Sequence, residues 1–295
     1  AKEKQRKILQ RDTVFVKESL SSEESLKNLI ALTKMVANNY DVYGEWFSAT
    51  KLARQEELRK IKQAADTISN RGLAVDLGTA NGFVARELAK KWFQQVFGYD
   101  ISPDMIEAAN EKKIYSSETY ECIDVSYGIP LPDESVDFLV ANFWSAWEVH
   151  HNIIPEVDRV LKIGGKAWLS FYNKDAFAHI WWQPQQNSLE VVYNPLSEIL
   201  EIPIMNQDTK KIQVFKVNAI SKSITHIEEE IGNTWLIIDD IESFPLLTTM
   251  MPPTFFSNKS TEAIAIEHDR IHWKVRPYRW YYLNVLLQKS PTKAS

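Results

Sequence analysis

The sequence predicts an α/β protein built on a doubly wound, mostly parallel sheet. Between residues 72 and 172, short apolar runs typical of buried strands alternate with amphipathic stretches typical of helices. This alternation predicts parallel βαβ units, whose sheet is covered by helices on both faces. The turn AVDLGTANG (74–82) follows the first predicted strand. Because ligands of such sheets bind where the strands end, this turn is the first candidate site.

The order of elements follows from periodicity, helix caps and glycine stops. Ser102 and Pro103, for example, begin a helix as its cap and first residue. We predict helices at 21–47, 51–68, 83–93, 102–113, 155–165, 223–231 and 259–272, and strands at 72–78, 95–100, 119–125, 135–143, 166–172, 235–241 and 279–288. Residues 1–70 are predicted to form an arm and helices, and 71–295 the main domain. A turn-rich, aperiodic insertion interrupts this domain at about 174–222.

Composition limits the classes of function. The chain has 295 residues, 44% hydrophobic and 25% charged, and a net charge of −5. These values are typical of a soluble globular protein and do not indicate general affinity for nucleic acid. The single cysteine, Cys122, is predicted to lie in the core and excludes an internal disulfide. Apolar runs are shorter than the roughly 18–20 residues that span a bilayer, so we expect a cytoplasmic protein.

The turn after the first strand favours a cationic ligand. Gly78 and Gly82 would let the backbone approach a ligand closely. A dinucleotide site needs a third glycine in the pattern G-x-G-x-x-G, but position 80 is Ala80. Asp76, at the end of the strand, would repel a pyrophosphate. S-adenosylmethionine carries an ammonium and a sulfonium and no phosphate, so it suits this turn better.

Five segments in order resemble the class I S-adenosylmethionine-dependent methyltransferases. VDLGTANG (75–82) resembles the glycine-rich motif of that family. The other four, similar to its later strands and turns, are GYDIS with PDMIEAAN, ECIDV, GIPLPDESVDFLVAN and EVDRVLKIGGKAWLSFYN. The likeness is good over about 72–173 and looser over 214–288. Ala80 and Ile163 depart from the family pattern, where glycine and proline are usual.

The resemblance implies both a fold and a cofactor site. The implied fold is Rossmann-like and doubly wound. It has seven mostly parallel strands with the last antiparallel, an N-terminal helical lid and an insertion after strand five. The implied cofactor is S-adenosylmethionine, with S-adenosylhomocysteine as product and no metal. Its implied contacts are Asp76 with the ammonium, Gly78 and Gly82 with the tail and ribose, Asp100 with the ribose hydroxyls, Ile101 with the adenine face, Asp124 and the Val125 amide with the adenine edge, and the Asn142 carbonyl near the ammonium.

Aromatic residues predict where a substrate would bind. If the first helix, the segment after strand four and the insertion converge, they would form an aromatic pocket, although each ring could equally be core. The predicted substrate contacts are Tyr40, Tyr43, Trp144, Trp147, His179, Trp181 and Trp182. His150 and His151 are candidate catalytic bases for an oxygen acceptor. A nitrogen acceptor would need no base.

The function expected is methyl transfer to a small, apolar or aromatic molecule at nitrogen or oxygen. One alternative is a tRNA or other macromolecule methyltransferase, favoured by the basic start of the chain and by HWKVRPYRW (272–280). A second is a cofactor-binding partner subunit without catalysis. We expect a small-molecule substrate and neither a nucleic-acid nor a membrane partner. The sequence leaves the accepting atom and the oligomeric state open.

Overall fold

A mixed sheet forms the centre of the protein. The computed structural model describes residues 19–37, 48–91, 93–142, 153–174, 192–194, 197–205, 211–244, 260–261, 263–264, 267–268 and 282–292. Its helices are α1 (Ser22–Val36), α2 (Ser48–Asp66), α3 (Phe83–Lys91), α4 (Pro103–Glu111), α5 (Ile153–Val160) and α6 (Ile224–Ile231). Its strands are β1 (Leu73–Leu77), β2 (Gln95–Asp100), β3 (Glu118–Cys122), β4 (Val136–Ala141), β5 (Leu161–Asn173), β6 (Val192–Asn194), β7 (Ile199–Met205), β8 (Ile212–Asn218), β9 (Ser221–Lys222), β10 (Leu236–Phe244) and β11 (Tyr282–Lys289).

The strand order confirms the predicted fold class. Seven strands run in the order β10-β11-β5-β4-β1-β2-β3, and the short β9 pairs with β5. The pairs among β1 to β5 are parallel, whereas β11 is antiparallel to both β5 and β10. Because β1 to β4 run in the same direction, the segments that follow them meet at one edge of the sheet.

Helices cover both faces of this sheet. On one face, α5 and α6 bury residues such as Ile154, Val157 and Ile227 against β1, β4, β5 and β11. On the other face, Ile61 of α2 and Leu88 of α3 join a second apolar cluster with Phe138 and Trp168 of the sheet. The central strand β4 is therefore covered on both sides, which explains why all of its residues are buried and all but Asp137 are apolar.

A small antiparallel sheet packs with the first helix. Strands β6, β7 and β8 form this sheet within the predicted insertion. The Ser25 Oγ of α1 accepts a hydrogen bond from the Asn218 amide at 2.8 Å, and Asn28 Nδ2 donates to the Lys216 carbonyl at 2.8 Å. Ala80 of the glycine-rich turn packs against the apolar cluster that α1 shares with this sheet. We call α1 together with β6, β7 and β8 the lid unit.

The structure corrects several sequence-based expectations. The helix predicted to run through 155–165 ends at Val160, and Leu161 begins β5, with Gly164 inside the strand at a φ of 81°. The insertion contains ordered strands instead of aperiodic turns. Cys122, expected in the core, is exposed on the edge strand β3. An aspartate between apolar neighbours, Asp137 of β4, is buried, and it pairs with Lys162 at 2.8 Å.

Candidate functional site

The turn after β1 takes an unusual backbone conformation. Gly78, Ala80 and Gly82 have φ values of 65°, 48° and 77°. This left-handed region is easy for glycine and costs an alanine about 1 kcal/mol. The Thr79 amide donates to the Tyr99 carbonyl at 3.0 Å, which joins the turn to the end of β2. The turn thus presents backbone to the edge where strands β1 to β4 end.

Tyr120 of β3 braces this turn and explains one of its glycines. A Cβ added to Gly82 would lie 2.6 Å from Tyr120 Oη, and one added to Gly98 of β2 would lie 2.7 Å from the Tyr120 ring. The Tyr120 hydroxyl donates to the buried Glu118 carboxylate at 2.5 Å. Glu118 Oε1 in turn accepts from the Tyr115 amide at 2.8 Å. The ring is therefore fixed at a position that no larger residue at 82 or 98 would permit.

Asp76 is buried directly under the turn. Its Oδ2 accepts hydrogen bonds from Thr79 Oγ1 at 2.7 Å and from the Ala85 amide of α3 at 3.2 Å. The pKa of Asp76 is raised to about 7, chiefly by burial and in part by the charge of the neighbouring Asp100, while the hydrogen bonds from Thr79 and Ala85 lower it. A cation bound beside this carboxyl would favour its ionised form.

Asp100 lies at the end of β2, on the other side of the turn. Its Oδ2 accepts from the Ala80 amide and its Oδ1 from the Ser102 amide, both at 2.9 Å. Burial raises the pKa of Asp100, while the backbone bonds from Ser102, Ala80 and Ile101 lower it. Each carboxylate oxygen keeps a second lone pair, so this carboxyl can still accept from two ligand hydroxyls.

The remaining cofactor candidates lie along the same edge. Asp124, after β3, caps a 3₁₀ turn at Val125–Tyr127, and its Oδ1 accepts from the Ser126 amide at 3.0 Å. Val125 is buried and Ile101 is half-buried. Asn142 follows β4 and is half-buried, with its Oδ1 accepting from Ser170 Oγ at 3.0 Å. The structure therefore gathers all the candidates at one edge but gives the Asp124 side chain a local capping role.

The predicted substrate and catalytic residues lie outside the described part of the chain. They are Tyr40, Tyr43, Trp144, Trp147, His150, His151, His179, Trp181 and Trp182. Their convergence on one pocket and the role of the histidines stay predictions.

Four residues at this edge were missed by sequence reasoning. Thr79 and Ser102 were visible in the quoted motifs, where hydroxyl residues next to acids are a usable signal. Tyr120 and Glu118 lie in β3, and their spacing of two predicts one shared face. Nothing in the sequence indicates which strand that face would meet.

The arrangement fits S-adenosylmethionine. The buried carboxyl of Asp76 and the half-buried carboxyl of Asp100 flank a turn with left-handed backbone, and negative charge there suits an ammonium and ribose hydroxyls and opposes a phosphate. Within the described residues, no group of three histidine, cysteine or acidic side chains could hold a metal. None of the described helices is long and apolar enough to cross a membrane.

Known proteins with similar sequences support a methyltransferase domain in the part of the chain that forms this edge of the sheet. Residues 75–169 match the sequence model of a family described as a methyltransferase domain. An uncharacterized protein of Methanocaldococcus jannaschii is 29% identical over 147 residues, which cover 48% of this chain and 64% of that protein. The alignment thus spans less than two thirds of the relative's length.

Solved structures with the same fold extend the likeness beyond the matched domain. A chain of the complex between the Haloferax volcanii Trm112 methyltransferase activator and its methyltransferase is similar with a TM-score of 0.52 and 19% identity, covering 88% of this chain and 100% of that one. A DhpI complex with S-adenosylmethionine is similar with a TM-score of 0.55 and 14% identity, covering 91% and 100%. An S-adenosylmethionine-dependent methyltransferase of Mesorhizobium loti has a TM-score of 0.51 and 18% identity, covering 80% and 97%. Identities this low speak for the fold alone.

Proposed function

We propose that the chain carries a class I S-adenosylmethionine-dependent methyltransferase domain and that it methylates a small, apolar or aromatic molecule at nitrogen or oxygen. The observation that carries the cofactor assignment is the pair of carboxyls on either side of the glycine-rich turn, Asp76, which is buried, and Asp100, which is half-buried. S-adenosylmethionine supplies an activated methyl group bonded to a sulfonium sulfur. When the acceptor attacks the methyl carbon, the carbon–sulfur bond breaks and the rest of the cofactor leaves as a neutral thioether. Positioning is the main contribution of the protein to such a displacement.

The lid unit supports a small acceptor over a large one. Its apolar cluster includes Met105 of α4 and reaches Ala80, so it covers one side of the cofactor edge. The tryptophan-rich segments 144–147 and 181–182 flank β4 and β5 in the sequence. Aromatic walls exclude water and would hold a flat or cationic acceptor, with cation–π contacts of about 0.5–2 kcal/mol.

Calorimetry tests the cofactor assignment. We expect S-adenosylhomocysteine to bind and a nicotinamide dinucleotide not to bind. Asp100→Ala should weaken S-adenosylhomocysteine binding by about 1.5–3 kcal/mol, because it removes hydrogen bonds to a charged group. The matched control is Asp133→Ala, an exposed carboxylate that pairs with Arg159 away from the turn. An unchanged Kd for Asp100→Ala would mean that the ribose does not bind at Asp100. Binding of the dinucleotide without binding of S-adenosylhomocysteine would refute the cofactor assignment.

Incubation with extracts tests the substrate class. The small-molecule fraction of a cell extract, given enzyme and S-adenosylmethionine, should yield a species heavier by one methylene group. Methylation confined to the RNA or protein fraction would favour the macromolecule alternative instead. The Haloferax volcanii complex makes an activator protein a reasonable addition to this assay. Cofactor binding without turnover on any fraction would favour a non-catalytic partner subunit.

Two sets of variants test the proposed pocket. Trp147→Ala should raise the KM for the acceptor or abolish turnover while leaving cofactor affinity within about threefold, under roughly 0.7 kcal/mol. Loss of cofactor binding in a folded Trp147→Ala protein would refute the pocket assignment, and unfolding would mean that Trp147 is core. If His150→Ala and His151→Ala both keep near-normal rates across roughly pH 6–9, a histidine base is excluded and nitrogen is the favoured acceptor.

A further inference from the structure

A row of polar side chains crosses the sheet from the end of β4. Ser170 of β5 pairs in register with Asn284 of β11, which pairs with Glu242 of β10. Asn142 begins the row next to Ser170. The three strand residues, Ser170, Asn284 and Glu242, are buried. Glu57 and Lys60 of α2, which lie over the row, are buried as well. Burying polar groups costs free energy, so a row of them that ends at the cofactor edge suggests a functional role.

Glu57 contacts the first members of this row. Its Oε1 lies 2.9 Å from Ser170 Oγ, and Ser170 Oγ lies 3.0 Å from Asn142 Oδ1. Glu57 Oε2 is buried without a hydrogen-bond partner among the described residues. Burial raises the pKa of Glu57 to about 7, against hydrogen bonds to Asn142 and Ser170 and the charges of Arg54 and Lys60, which lower it.

Ser170 cannot serve both of its neighbours at once. A serine hydroxyl has one proton, and here two oxygen acceptors lie within reach of it. When Glu57 is ionised, the carboxylate attracts that proton and Asn142 Oδ1 keeps its lone pairs for another donor. When Glu57 is protonated, it donates to Ser170, and Ser170 donates to Asn142.

We propose that Glu57 is a positioning residue: through Ser170 it controls whether Asn142 Oδ1 offers both of its lone pairs, or only one, to a ligand at the end of β4. The proposal rests on the proposed function, which locates the ligand at this edge. The donor is an N–H of the ligand, either the ammonium of the cofactor tail or an amine where the methyl group is transferred. Because a donor on Asn142 turns Ser170 toward Glu57, binding releases a proton from Glu57.

Two neighbouring cations also lower the pKa of Glu57. Arg54 and Lys60 lie on its own helix, and Lys60 forms a buried ion pair with Glu242 of β10. The neighbours contributed by β4, β5 and β11 in this row, namely Asn142, Ser170 and Asn284, are uncharged. Asp76 also has a pKa near 7 and lies at the cofactor edge, so the test compares variants instead of counting total protons.

Calorimetry in buffers of different ionisation enthalpy measures the released protons. Two probes separate the donors: S-adenosylhomocysteine, which carries the tail ammonium alone, and sinefungin, in which a carbon bearing an amine replaces the methylated sulfur. At pH 7 we expect Glu57→Gln to release about half a proton fewer than the unsubstituted protein, because a group with a pKa near 7 is half protonated there. A deficit with both probes identifies the tail ammonium, and a deficit with sinefungin alone identifies the amine.

Variants of Ser170 supply the second arm. Ser170→Ala breaks the link and should show the same deficit, whereas Ser170→Thr keeps the hydroxyl and should restore the release. Between roughly pH 6 and 8, the affinity of the unsubstituted protein should rise about threefold to tenfold more than that of Glu57→Gln. Equal proton release and equal pH profiles with normal S-adenosylhomocysteine binding would overturn this proposal alone. Absence of S-adenosylhomocysteine binding by the unsubstituted protein would overturn the proposed function instead.

Discussion

Two buried carboxyls link the stability of this protein to pH. Asp76 and Glu57 are both buried, and burial raises the pKa of each to about 7. Because the folded state binds a proton more tightly than the unfolded state, each carboxyl lowers stability as pH rises from about 4 to about 7. The loss is complete above that window. The free protein is therefore less stable above about pH 7 because of Asp76, the carboxyl that we propose lies beside the cofactor ammonium, and because of Glu57.

Replacing Asp76 tests this cost. Asp76→Asn keeps an oxygen for Thr79 and Ala85 but cannot ionise. At pH 8 we expect its free energy of unfolding to exceed that of the unsubstituted protein by about 1–3 kcal/mol, with the difference shrinking toward pH 4. Urea unfolding at several pH values measures it. The exposed Asp133→Asn should show no comparable trend, and a pH-independent effect of Asp76→Asn would contradict the argument.

The sequence predicts some of these residues and not others. Asp76 and Asp100 follow apolar strands directly and are recognisable from local order. Glu57 and Ser170 are 113 residues apart, and their contact depends on how α2 crosses the sheet. Asp124 was predicted from a motif, but local geometry gives its side chain a cap that the motif does not specify.

At the scale of elements, local pattern predicts the type of a segment better than its ends. The apolar alternation of β5 begins at Leu161, yet Gly164 and Gly165 resemble a helix stop in the sequence. In the structure, a Cβ on Gly165 would lie 2.9 Å from the Lys162 carbonyl and 3.0 Å from the Val136 carbonyl. Gly165 is therefore required by the close packing of β5 against its neighbours. A local pattern typical of helix ends could not indicate that requirement.

Gly98 of β2 gives a test of element packing. Gly98→Ala would push a methyl group into Thr79 Oγ1 and the Tyr120 ring, both at 2.7 Å, so we expect a loss of about 1–3 kcal/mol in the free energy of unfolding. Gly232→Ala is the matched control, because its Cβ would meet its nearest neighbours at 3.5 Å and its φ is −56°. Chemical denaturation compares the two. Equal stability of both variants would mean that the ring can move aside freely.

At the scale of the whole molecule, two distant parts of the chain make one unit beside the turn. The lid unit joins α1 to a sheet from the insertion, and its cluster reaches Ala80. The sequence predicted a lid and an insertion separately. Their union could not be predicted, because the strands of the insertion are short and their pairing partner is nearly two hundred residues away.

Ser25→Ala tests whether the lid unit opens independently. The variant removes the acceptor of the Asn218 amide, a loss of about 1–2 kcal/mol for the local unit. We expect faster hydrogen exchange in 22–36 and 212–218, with β1, β4 and β5 unchanged. Ser135→Ala, whose exposed hydroxyl donates to the Pro132 carbonyl, is the control. Uniformly faster exchange across the central sheet would mean that the unit does not open by itself.

The pairing of α1 with β8 also affects how the chain is made on the ribosome. Ser25 and Asn218 are 193 residues apart. At roughly 5–20 residues per second, about 10–40 s of translation separate the two. A 15-residue helix such as α1 is marginal in water without a packing partner. The nascent chain can therefore assemble β1 to β5 while its earliest helix is still unpaired, so the cofactor edge is completed late in synthesis.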